Sequence, residues 1–402
     1  MSSFENGEGA LVIDVGSSSC KAGWSGEDMP RAHFPSVMST GEHALESKEA
    51  RQAKEIRRAE SMEEPTTSVN VSGKSAPVSL KHPVVRGKVD LSDDTMEKLL
   101  EHTFSVELDM YSESLAVPVL VSEAPGTDKA TRARLTQMLF EQFKVSGVCF
   151  ANSAVLSLFA SGRTRGVVLE VGAGVSSVVP VFEGYSLPHA VLSMDCAGQD
   201  VTSFLKQNIN HELSHQAVQA IKHKVANANK MDGKGKQSEK SEYELPDGTT
   251  INIDGVYASA CVDQLFNPDE YGIEAVDGGL GDMLAKSMSM CDKDLQPDLH
   301  RNIVLSGGTT MIKGFSERVK NEVRGGVDGP INVVPDSTGI EPGYNSQRQI
   351  GAWIGGSILA SLDTFNKISV SKQDYEDEGS NANIVHRSAA KGRDQVTEDN
   401  RG

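Results

Sequence analysis

The sequence predicts an α/β fold in two matched halves that face one cleft. Three observations carry this. Leu11–Lys21 (LVIDVGSSSCK) and Val167–Ser176 (VVLEVGAGVS) are versions of one device: a β-branched strand ending in an acid, one spacer, then glycine and small residues. Strands alternate with helical stretches around both copies, which is the order of an α/β layered domain. Arg301–Thr310 (RNIVLSGGTT) is a further strand, ending in a glycine turn that opens a helix, and helix N-termini suit anions and polar rings. A chain of 402 residues also exceeds one ordinary core, so two or more lobes are expected.

The device has a physical rationale. A strand brings the chain to the edge of a sheet, and small residues let the turn aim backbone N–H groups at an anion. The acid cannot touch phosphate, but it can hold the water shell of a Mg²⁺ lying between carboxylate and phosphate. Lys21, just beyond, supplies a point charge for phosphates. A plain hairpin with a glycine turn would explain one copy; two copies favour paired phosphate loops.

Along the chain, residues 10–40 alternate strands and turns. Gly41–Glu64 is rich in Glu, Lys, Arg and Ala, and Ala53, Ile56, Ala59 and Met62 form only a thin apolar stripe, so it reads as a solvated helix or a disordered insert. Pro65–Ala76 is loop. Leu91–Phe104 has helical spacing, with Ser92 as N-cap. Ala116–Val121 is a buried strand, and Asp128–Phe143 an amphipathic helix with Leu135, Met138, Leu139 and Phe143 on one face. Ser153–Ser161 is a short buried helix. After the second copy come a strand at Val178–Phe182 and a helix from about Asp200. Asn227–Lys240 reads as a mobile loop, Thr249–Ile253 as a strand, Gly325–Gly343 as loop, and Ala352–Leu362 as a buried helix whose small residues allow close packing. The last residues, 387–402, are polar and expected to be disordered. The matched halves imply a nucleotide in the cleft.

Composition excludes several classes. The net charge of −17 argues against general binding to nucleic acid or to a membrane surface. Five cysteines stand at 20, 149, 196, 261 and 291 without a CxxC pair, as expected for reduced thiols inside a cell. Met1–Gly9 lacks the features of a signal peptide, and no run of 18 apolar residues exists.

Long stretches of the chain resemble actin and the actin-related proteins. They are Cys20–Ala32, Phe34–Ser36, Met96–Lys98, His102–Phe104, Ala154–Thr164, Glu183–Ala190, Tyr243–Gly248, Leu305–Met311, Trp353–Leu362, Ser371–Tyr375 and Ile384–Arg387. The resemblance implies an actin-like fold: two RNase-H-like lobes, four subdomains, and ATP or ADP in the cleft, with Mg²⁺ as an optional companion. Subdomain 1 would comprise 1–35, 83–160 and 351–402; subdomain 2, a divergent charged insert, 36–82; subdomain 3, 161–196 and 275–350; subdomain 4, 197–274. The nucleotide-binding residues would be Asp14, Gly16, Ser17, Ser18, Ser19, Lys21, Gly172, Ala173, Gly174, Val175, Lys222, Gly307, Gly308, Thr309, Met311 and Ile312. Asp14 and Glu170 would hold the metal through water.

Departures from the family pattern bear on activity. The second loop of actin reads Asp-Ser-Gly-Asp-Gly-Val-Thr-His, whereas Glu170–Ser177 here puts Ala173 at the second acid and Ser177 at the histidine. The water-positioning glutamine is Ser153. Hydrolysis needs an in-line water and a group to orient it, so catalytic residues are expected to be absent and ATP turnover very slow. The base side is also altered: Lys222 is kept from a Lys-Glu pair but His223 replaces the acid, Gln349 replaces a later lysine, and Ile312 an aromatic. Arg86 occupies the place of a phosphate-facing histidine, where it either offsets lost metal charge or is simply solvated.

The resemblance also implies an apolar groove of Phe159, Gly162, Thr164, Tyr185, Leu359, Leu362, Thr364 and Ile368, unless those residues are ordinary packing. The inserting loop of actin has no counterpart in Met38–Ala76, and Asn267–Ile273 carries acids where actin is apolar. A nucleotide-binding, non-polymerising or capping subunit of a larger cytoskeletal assembly is therefore expected, in the cytoplasm or in a flagellar or nuclear complex. Its partners would be protein subunits, with neither nucleic acid nor membrane. The alternatives are an ATP-hydrolysing, filament-forming actin and a sugar-kinase-like phosphotransferase, for which no catalytic base is found.

Overall fold

A computed structural model of the chain describes residues 9–39, 80–110, 116–209, 211, 213–229, 241–245, 248–327, 329–335 and 342–378. The charged insert at 41–64, the loop at 65–76, most of the loop ending at Lys240 and the tail at 387–402 lie outside the described residues.

Two sheets repeat one strand order. In the first, β1 (Leu11–Val15) turns into antiparallel β2 (Ser19–Trp24), which pairs with β3 (Ala32–Pro35). On the other side of β1, β4 (Pro118–Glu123) and then β5 (Gly147–Asn152) run parallel to it. In the second, β6 (Gly166–Val171) turns into antiparallel β7 (Ser176–Phe182), which pairs with β8 (Tyr185–Ser186) and β9 (Leu192–Met194). Strands β10 (Ile303–Ser306) and β11 (Val333–Val334) then run parallel beside β6. The first strands are continuous β-branched runs because both faces of each central strand are covered; Leu11, Val12, Ile13, Val167, Val168 and Leu169 are fully buried.

Helices cover the sheets. Helix α1 (Thr95–His102) starts later than the spacing predicts, because Ser92 is not its cap: the Ser92 N–H donates to Asp90 Oδ1, and the Thr95 N–H to Asp93 Oδ1. It also runs on into a π turn at Thr103–Glu107. Helix α2 (Lys129–Glu141) is capped by Asp128, whose Oδ1 accepts from the Thr131 N–H, and buries Leu135 and Leu139. Helix α3 (Ser153–Ala160) joins the two sheets, α4 (Gly198–Asn208) and α5 (His215–Val225) follow the second hairpin, and α6 (Gly351–Ala360) lies against both α3 and β1. The contact of α6 depends on glycine: a methyl on Gly355 would overlap the Leu156 carbonyl. Trp353, fully buried on the same helix, donates Nε1–H to the Val12 carbonyl at 3.1 Å.

Two further expectations are corrected. The turn after β10 opens only a four-residue 3-10 turn, Gly308–Met311, since Ile312 leaves helical backbone. The stretch 325–343 is not all loop: it contains β11 and the start of a helix at Pro342–Gln347.

Candidate functional site

The two glycine turns are closed in the same way. The Gly16 N–H donates to the Ser19 carbonyl at 3.0 Å, and the Gly172 N–H to the Val175 carbonyl at 3.1 Å. They face each other so closely that a methyl on Gly174 would lie 2.6 Å from Ser17 Oγ and 3.1 Å from the Arg86 Cα. Between them opens a cavity of about 680 Å³. Its wall includes Asp14, Gly16, Ser17, Ser18, Ser19, Lys21, Glu170, Gly172, Ala173, Gly174, Val175, Lys222, Gly307, Gly308 and Thr309. Met311 and Ile312 are not in this wall: Met311 is exposed, and Ile312 packs into the core of the second sheet.

The acids of the two copies have different cross-strand neighbours. Asp14 on β1 sits opposite Lys21 on β2, whereas Glu170 on β6 sits opposite Ser177 on β7. Lys21 Nζ donates to Asp14 Oδ2 at 3.0 Å, and Ser122 Oγ to Asp14 Oδ1 at 2.5 Å. Lys21 is therefore tethered by the acid that the sequence reading assigned to a metal shell. Among the described residues Glu170 faces no cation at bonding distance. Ser153 Oγ donates to its Oε2 at 2.7 Å, and desolvation pushes the carboxyl up to about 7. Among the described residues no group of three or more His, Cys, Asp or Glu side chains converges as a metal cage. The donors present suit a cation that arrives with phosphate and is reached by Asp14 and Glu170 through water.

Arg86 belongs to neither expected role. It lies on the hairpin Val84–Val89, with φ of +50°, and reaches the second half of the molecule. Its Nη1 and Nη2 donate to Asp200 Oδ2 and Oδ1 at 2.5 and 2.8 Å, and Nη1 also to the Gly174 carbonyl at 3.3 Å. Asp200 also accepts from the Ala197 N–H at the start of α4 (2.8 Å). Beside Arg86, the Gly87 N–H donates to Ser17 Oγ at 3.3 Å. Two hydrogen bonds, Arg86 to the Gly174 carbonyl and Gly87 N–H to Ser17 Oγ, and one bidentate ion pair thus tie the turns together. Sequence reading missed Ser122, Asp200 and this clamp; all three depend on contacts between residues far apart in the chain.

On the other wall, Thr309 Oγ1 donates to the Gly172 carbonyl at 2.7 Å, and Lys222 Nζ to the Gly198 carbonyl at 3.0 Å. Burial lowers the Lys222 ammonium to about 8. His215, Gln219 and His223 on α5 also line the cavity, as does Gln349.

Away from the cleft, Phe159, Leu359 and Ile368 pack on one apolar cluster at the far ends of α3 and α6. Leu362, Ile358 and Tyr185 are exposed there, as are Gly162 and Thr164. Ile358 was not anticipated, although its spacing on α6 puts it one turn from Leu362.

A duplicated sheet order, with a glycine turn from each half meeting over one cavity, defines a two-lobed α/β protein of the nucleotide-cleft type. The sequence model of the family described as actin matches residues 5–233 and 214–390, and the chain belongs to the actin family. No helix among the described residues is long and apolar enough to cross a membrane.

Proposed function

We propose that the chain holds an adenine nucleotide, ATP or ADP, as a structural ligand, hydrolyses it at most very slowly, and serves as a fixed, non-polymerising or capping subunit of a cytoskeletal assembly. One observation carries the reading. Ser153, at the water-positioning place of the family, donates its hydroxyl to Glu170 Oε2, while its neighbours Ala173 and Ser177 bring no imidazole and no second carboxylate. A phosphoryl-transfer site without a group to orient water forfeits a factor of about 10²–10⁴ in rate. The glycine turns, with Lys21 and Thr309, are a cradle for phosphates that does not depend on those groups. The exposed apolar side chains Ile358 and Leu362 beside Phe159 support docking of a protein partner on that face.

Purified chain with ATP and Mg²⁺ should retain intact nucleotide in a single-turnover assay while showing nucleotide-dependent stabilisation. The triple variant Ser153→Gln, Ala173→Asp, Ser177→His should gain turnover. Hydrolysis at the rate of filament-forming actins, or long filaments above a critical concentration, would refute the proposal in favour of a working ATPase.

A further inference from the structure

The cavity of the cleft is not all phosphate cradle. Side chains alternate along β1, so Asp14 points to one face of the first sheet with its partner Lys21, and Val15 to the other, the face covered by α1 and α2. On that second face the cavity continues past the first glycine turn. The strand ends give it Val15, Val121 on β4 and Phe150 on β5, and the helices give it Met96, Leu100 and Leu139. All six belong to, or pack on, one apolar core. That core is therefore open at its cleft end.

The second half of the molecule closes the same end. Val171 follows Glu170 as Val15 follows Asp14, and Leu305 pairs with Leu169 as Val121 pairs with Ile13. Val171 and Leu305 are fully buried, whereas Val15 and Val121 are partly exposed. Beyond β10 the chain turns Ile312 and Phe315 into its core, at 8% and 1% exposure. Beyond β4 it brings Ala124, Pro125 and Thr127, short side chains that border the cavity.

Polar groups at this edge are spent within the chain. Glu123 accepts two hydrogen bonds from Arg132, at 2.6 and 2.7 Å, and Thr127 Oγ1 donates to the Ala124 carbonyl at 2.8 Å. A closed ion pair and a used hydroxyl select neither a charged ligand nor a strong hydrogen-bonding one. Met96, Phe34 and Phe150 offer a thioether and two phenyl rings, which suit contact with a flat ring. Apolar surface opening into a cleft marks a ligand site. We propose that this annex takes a compact, uncharged aromatic molecule, separated from the phosphate cradle by the Gly16–Ser19 turn and held at the same time as an anion there.

Calorimetric titration of the full chain with indole should give a Kd of about 0.1 mM. Benzoate and benzylammonium, charged molecules of similar size, should bind at least about tenfold more weakly. Val121→Phe fills the annex and should weaken indole about tenfold or more while leaving pyrophosphate binding unchanged. Ala124→Phe, from a partly exposed position, is a second blocking variant with the same expected result, and thermal unfolding checks that both fold. In the wild-type chain with methyl-labelled methionine, indole should shift the Met96 resonance, identified by its loss in Met96→Leu. No binding of indole, binding that inorganic pyrophosphate abolishes, charged analogues that bind as tightly, or an unmoved Met96 resonance each overturns the annex. None of these outcomes touches the nucleotide reading, which pyrophosphate and ATP test by themselves.

Discussion

Breaking the clamp between Arg86 and Asp200 should loosen the cleft before it unfolds the chain. The side chains of the pair are 34% and 22% exposed, and it comprises two charge-assisted hydrogen bonds of 2.5 and 2.8 Å. A bidentate pair of that kind, discounted for partial solvation, stabilises by about 1–2 kcal/mol. Arg86 also sits at φ +50°, and left-handed backbone costs a non-glycine residue about 1–2 kcal/mol. Arg86→Ala therefore loses the pair and keeps the strain, whereas Arg86→Gly loses the pair and sheds the strain, so the glycine variant should be the more stable by about 1 kcal/mol. A double-mutant cycle with Asp200→Asn, read by urea unfolding, should give a coupling energy of about 1–2 kcal/mol. Because the two residues lie in different halves, release of a fluorescent nucleotide should accelerate by about tenfold for each 1.4 kcal/mol of coupling present only in the closed cleft. A coupling energy under about 0.5 kcal/mol with an unchanged release rate would refute the clamp.

Four other outcomes follow. Gly174→Ala would push a methyl onto Ser17 and the Arg86 backbone; it should cost about 1–3 kcal/mol in chemical denaturation and weaken pyrophosphate binding. Glu170 has a folded pKa raised to about 7 from 4.5, so the folded state binds the extra proton and stability falls as pH rises through that window. Glu170→Gln should flatten that slope and gain about 2–3 kcal/mol at pH 8 in the ligand-free chain, measured by urea titration at several pH values. Lys222 is lowered to about 8 from 10.5, so stability rises as pH climbs through that range; Lys222→Met should stabilise the ligand-free protein at pH 7 by about 1–3 kcal/mol. All five cysteines are buried, so a thiol reagent should label the native chain far more slowly than the denatured one.

The fold was legible where local chemistry decides it. The two glycine turns, Asp128 as a helix cap and the small-residue helix around Gly355 can each be read from neighbours in sequence. Ser92 misled because Asp93 takes the Thr95 N–H that a Ser92 cap would hold, while Asp90 takes the N–H of Ser92 itself, a choice that spacing alone does not resolve. The wall of the cavity was read in large part from the glycine motifs, but its electrostatics were not. Lys21 looks like a free phosphate ligand until β2 folds back and sets it opposite Asp14. Arg86 looks like a surface residue until α4 brings Asp200 to it from 114 positions away. Such pairs belong to the tertiary structure and leave no periodic trace.

Helix α3 has its first residue, Ser153, in the wall of the cleft and its seventh, Phe159, in the apolar cluster on the outer face. At about 1.5 Å per residue the two are only about 9 Å apart along the axis. Where Leu156 meets Gly355 the backbones of α3 and α6 touch without an intervening side chain, which leaves no compliant layer to absorb a displacement. With no such layer between them, a displacement of Ser153 would carry to the surface beside Leu359 over less than two helical turns.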